Sequence, residues 1–208
     1  MGLFQKKPET PEETVKRLAE HAGHIIAMLE GTLKTEKGTD LTLCLMYAAG
    51  LAGCACHEVV KALKEPFAVV KGKDGRTYYF GDRVNHYLLE GGTSVYAFLS
   101  PVCGDLNDVV RALAVHITSS VGNGELKIAG LSADTMYRRV KACWDGIYDN
   151  MTSHYCKTPA EWPVLFGIVL QNILIHSLKA GAPKEEAGRL ALECAMTVSK
   201  MDADSLGS

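Results

Sequence analysis

The chain has 208 residues, 47% hydrophobic and 22% charged, with a net charge of −2 and a pI near 6.4. It is long enough to bury a core, and it lacks the global basic field that would draw nucleic acid or anionic lipid. The seven cysteines, at 44, 54, 56, 103, 143, 156 and 194, are odd in number and follow no framework spacing, which points to reduced thiols in a cytoplasmic protein.

The opening MGLFQKKPETPEETVK has no long apolar run, and Lys6 stands where a myristoylation pattern requires Ser or Thr. Neither a secretory leader nor a lipid anchor is expected. Thr10-Pro11-Glu12-Glu13 reads as a capping box with proline at the first helical position. It launches an apolar stripe of Val15, Leu18, Ala22, Ile25, Ile26 and Leu29 that closes near Gly31.

Asp40 is a fair N-cap for a second helix running to about Lys64, before Pro66. Its first sixteen residues, Leu41 to Cys56, carry no charge. An uncharged run of that length falls short of the ~20 residues that span a bilayer. Ala49, Gly50, Ala52, Gly53 and Ala55 leave its surface nearly smooth, so a neighbouring backbone is expected to approach closely. From His57 onward, polar residues gather on one face as the helix emerges. The spacing predicts a central core helix whose thiols and imidazole act as filler.

FAVVKGKDGRTYYF is the one β-like segment, with Asp74-Gly75 as a two-residue hairpin turn. A short helix over RVNHYLLE follows, then a helical piece in TSVYAFLSP. Asp105 caps a helix ended by Gly122, and Ser132 caps another through Tyr148. Thr158-Pro159-Ala160-Glu161 reads as a second capping box opening an apolar helix that stops at Gly181, and Pro183 begins the last. The fold class is therefore mostly α: a single compact multi-helix bundle of six to eight helices with one β-hairpin near residues 67–80. The domain plan is one unit over 1–208, with N-terminal helices at 10–64, the hairpin at 67–80 and C-terminal helices at 82–202.

Chemistry-bearing patterns are sparse. His57-Glu58-Val59-Val60-Lys61 misses the zinc-protease pattern because a lysine replaces the second histidine. Cys54, Cys56 and His57 make a weak metal or thiol alternative, since Cys54 and His57 share a helix face. His21 and His24 lie one turn apart near the edge of the first helix, and His154 and Cys156 sit in an irregular stretch. Asn172 and His176 are one turn apart on an apolar helix, and buried polar groups must find partners. With His57, Glu58 and His116 they form the candidate inter-helix pocket. No P-loop, dinucleotide fingerprint or nucleophile elbow occurs, so no catalytic residue, metal ligand set or cofactor is assigned.

AGLAGCACHEVV, YYFGDRVN, EWPVLFGIVLQ and AMTVSKMD together resemble an uncharacterised bacterial protein family. The resemblance spans Leu41 to Asp202. It implies a bacterial, cytosolic single domain and carries over no activity. The leading expectation is a non-catalytic helical interaction protein that self-associates as a homodimer through the hairpin's edge. A small-molecule-binding protein or enzyme with the inter-helix pocket is the alternative.

Overall fold

A computed structural model describes residues 9–36, 38–121 and 126–206. The readings placed on residues 1–8 and on the stop signal at Gly122 lie outside them. Helix α1 (Pro11–Thr32) begins at the Thr10 capping box: Thr10 Oγ1 accepts from the Glu13 amide at 3.2 Å, and Glu13 Oε2 accepts from the Thr10 amide at 2.7 Å. A two-residue strand pair, β1 (Lys34–Thr35) with β2 (Gly38–Thr39), turns the chain into α2 (Leu41–Ala62), capped by Asp40. Next comes the hairpin, β3 (Ala68–Lys71) and β4 (Thr77–Phe80). One turn of helix, α3 (Asp82–Asn85), runs into a π-helical turn over His86–Glu90. Helices α4 (Val95–Cys103) and α5 (Asn107–Val121) precede the small pair β5 (Lys127–Ile128) and β6 (Leu131–Ser132). Helices α6 (Ala133–Asn150), α7 (Trp162–Lys179) and α8 (Lys184–Val198) complete the bundle.

The fold is mostly helical with a hairpin attached. Helix α2 is its axis, packed against α7, α8 and α6, while α1 lies along α7. Every residue from Cys44 to His57 is buried. A glycine inside a helix costs about 1 kcal/mol relative to alanine, so two of them in α2 need a return in packing. A Cβ on Gly53 would stand 2.2 Å from the Ala195 carbonyl oxygen of α8, and one on Gly50 would stand 2.4 Å from Val140 Cγ2 of α6. The smooth face lets α8's backbone and α6's side chains settle directly on α2.

Helices spanning Leu41–Ala62 and Pro159–Lys179 are long and apolar enough to cross a membrane by length and composition alone, and their most apolar stretches are 83% and 67% buried within this fold.

Three local readings differ from the sequence. The hairpin loop has three residues: the Gly72 amide donates to the Arg76 carbonyl at 2.8 Å and the Gly75 amide to Gly72 at 3.0 Å. Only Gly75, at φ +79°, is left-handed there, because Asp74 sits in a right-handed turn whose carboxylate accepts from the Arg76 amide at 3.1 Å and from Tyr78 Oη at 2.8 Å. The second capping box does not form. Thr158 makes no side-chain cap, and Pro159–Glu161 is a 3₁₀ turn ahead of α7. The Glu161 carboxylate is engaged elsewhere, accepting from Arg17 Nη2 and the Lys157 amide, both at 2.8 Å. Among the described residues there are also two short strand pairs besides the hairpin, each a two-residue clasp before a helix.

Candidate functional site

Among the described residues, the hairpin is closed on one side only. The Tyr79 amide donates to the Lys200 carbonyl at 2.9 Å, and Ser205 Oγ donates to the Thr77 carbonyl, so the segment after α8 covers the outer edge of β4. Because Gly72 pairs with Arg76 and Tyr79 faces Lys200, the register turns the N–H and C=O groups of Val69 and Lys71 away from β4, toward the open edge. Val69 is 60% exposed.

The segment Ser199–Asp202 joins α2, β4 and α3. On one side of it, His57 is 1% exposed, with its ring stacked on Phe67 at 4.8 Å and edge-on to Tyr79 at 5.2 Å. This overturns its reading as part of an emerging polar face. His57 Nδ1 lies 3.2 Å from the Ser199 carbonyl, which only accepts, so this nitrogen carries the proton. Nε2 then points to Asp202 Oδ2 at 3.5 Å and makes no hydrogen bond. Asp202 also accepts from Lys61 Nζ at 2.6 Å, and Glu58 lies 3.8 Å from the same ammonium. Burial alone would raise the Asp202 carboxyl, but its contacts with His57, Lys61 and the Ala203 amide more than reverse this and hold it below the usual carboxylate range.

On the other side, Lys200 is only 7% exposed. Its ammonium meets Asn85 Oδ1 at 3.2 Å and the Phe80 ring face at 5.4 Å. Among the described residues no carboxylate lies within 4 Å of it. Burial pushes the amine down to about 8. It forms part of the wall of a cleft of about 140 Å³ shared with Phe80, Leu88, Ile117, Thr118 and Met196. Phe80 and Thr118 also border a second hollow, of about 220 Å³, between Val70 and Val121. A larger cleft of about 440 Å³ lies at the other end of α2, lined by Thr39, Thr42 and Ser177 with Glu186 as its one charged residue.

The five candidate pocket residues do not gather. His57 and Glu58 belong to the Asp202 cluster near the end of α2. His176 pairs with Glu30 at 3.2 Å, and Glu30 lies near Cys44 in the first turns of α2, about 20 Å of helix from His57 at 1.5 Å of rise per residue. The Asn172 side-chain amide donates to the Ile168 carbonyl of its own helix at 2.9 Å. His116 is exposed on α5. Burial pushes the Cys54 and Cys56 thiols far up, which disfavours the thiolate that metal binding or nucleophilic attack requires. His21 stacks on Tyr155 at 4.7 Å, and the buried Cys156 thiol is pushed up to about 12. Lys200 and Asp202 were missed as site residues. The available signal was a lysine two residues past the apolar end of α8 in AMTVSKMD.

No family model matches the chain, and neither a curated protein nor a solved structure matches it.

Proposed function

We propose that the protein binds a small molecule with one carboxylate and a short apolar tail, in the cleft beside Lys200. The observation that carries this reading is the buried ammonium at the wall of an apolar cleft, with a neutral amide and an aromatic face as its partners. A buried charge without a counter-ion is costly, and a ligand carboxylate would supply that counter-ion. The second hollow shares Phe80 and Thr118 with this cleft and offers room for the tail. Calorimetric titration with hexanoate and with hexanol tests this. Hexanoate is expected to bind the wild type and not Lys200→Met, and hexanol to bind neither measurably. Equal affinity of both probes for the two proteins would contradict the reading.

We further propose self-association with a second copy of this chain through the open edge of β3. The outward-facing groups of Val69 and Lys71 support it. A two-fold axis through Val69 would set each Val69 opposite its copy and each Lys71 opposite Phe67. That keeps the two lysines apart.

A further inference from the structure

We infer that His57, Glu58 and Asp202 form a binding site for a divalent transition-metal ion, with Zn²⁺ as the natural probe. One ligand atom from each of the three lies within 4.8 Å of the other two. An imidazole nitrogen with two carboxylate oxygens is a borderline donor set that suits Zn²⁺ better than Mg²⁺ or Ca²⁺.

Acidic clusters are common, so the weight rests on His57. Its ring is almost wholly enclosed, held between Phe67 and Tyr79, and fixed by the Nδ1 hydrogen bond to the Ser199 carbonyl. A metal-binding histidine is typically oriented in this way, with one nitrogen donating to a carbonyl and the other left as ligand. Nε2 has no hydrogen-bond partner among the described residues and faces the Asp202 carboxylate, so an ion between them would meet a donor on either side. Two ligands on a tetrahedral Zn²⁺ lie about 3.4 Å apart. The observed separation of Nε2 from Asp202 Oδ2 is 3.5 Å.

Lys61 closes the site. Its ammonium lies 2.6 Å from Asp202 and 3.8 Å from Glu58, and its side chain is 41% exposed, so it can swing into water when a metal ion enters. The lysine is therefore a competitor, and this gives the test its sign.

The experiment is calorimetric titration of chelator-treated full-length protein with Zn²⁺ at pH 7.5, with Co²⁺ absorption as a direct view of coordination. One ion per chain is expected, with a tetrahedral Co²⁺ spectrum. His57→Gln and Asp202→Asn should weaken binding by at least about tenfold. Lys61→Met should tighten it by about tenfold, because a like charge at contact distance has gone. Absence of Zn²⁺ heat and of a Co²⁺ spectrum in the wild type would overturn the proposal, leaving His57 to bind only a proton. Binding that survives both ligand substitutions, or a Lys61→Met variant that binds no tighter, overturns it equally. The wild-type and Lys61→Met measurements decide the matter even if His57→Gln fails to fold.

Discussion

The Tyr79 amide donates to the Lys200 carbonyl at 2.9 Å, joining the hairpin to the segment that carries both Lys200 and Asp202. Ser205 strengthens the join: its fully buried hydroxyl donates to the Thr77 carbonyl and accepts from the Asp202 amide at 2.9 Å. Ser205→Ala leaves buried backbone groups unsatisfied and is expected to lower stability by about 1–3 kcal/mol in a urea titration. An unchanged midpoint would mean the segment does not clamp β4.

Close approach of α2 and α8 sets a second expectation. Gly53→Ala must push back the Ala195 backbone, whereas Gly50→Ala meets the Val140 side chain, which can shift. Gly53→Ala should therefore cost about 1–3 kcal/mol and more than Gly50→Ala. Equal costs in chemical denaturation would argue against backbone contact.

Lys200 is expected to trade stability for binding. Replacing a buried, carboxylate-free ammonium by an apolar side chain of similar length removes a desolvation cost. Lys200→Met should raise stability at pH 7 by about 1–4 kcal/mol while abolishing carboxylate binding. A loss of stability would show that the bond to Asn85 outweighs the burial.

The base of α1 carries a pH-dependent knot. Hydrogen bonds from Arg17 and then Lys157 hold the Glu9 carboxyl down, from 4.5 to about 2. A depressed carboxylate contributes stability that is present above its unfolded value and lost as pH falls through its folded one. The melting-temperature gap between wild type and Arg17→Met should therefore be widest above pH 4.5 and narrow toward pH 2. A gap constant over that window would place the contribution of Arg17 in its hydrogen bond to the Tyr155 carbonyl, which does not titrate.

Edge pairing predicts a concentration-dependent dimer. Val69→Lys would set two ammonium groups opposite each other and should yield single-chain mass by light scattering at concentrations where the wild type is dimeric. A wild type that stays at one-chain mass across micromolar concentrations contradicts the pairing.

The helices were legible because their signals are local. Thr10, Asp40 and Ser132 each cap the helix that the sequence gives them, and the small residues of α2 announce its close contacts. The failures are tertiary. Thr158-Pro159-Ala160-Glu161 has capping-box spacing, but Arg17, distant in the chain, engages the glutamate. His57 sits at a position that helical periodicity marks as emerging, and only the fold-back of Ser199–Asp202 buries it. Lys200 and Asp202 look like the polar end of a helix until β4 and α2 are placed beside them. Pairing His116 with Asn172 and His176 failed because a polar residue on an apolar helix can bond its own backbone or a surface carboxylate, as Asn172 and His176 do.

The most direct test of the ligand site is an NMR measurement of intermolecular contacts between hexanoate and the full-length protein. The account predicts that the ligand's terminal methyl shows cross-peaks to Val70 and Val121, while the protons next to its carboxylate contact the Lys200 ε-methylene. Cross-peaks to the cleft beside Ser177 and Leu190, or none at saturating hexanoate, would contradict it.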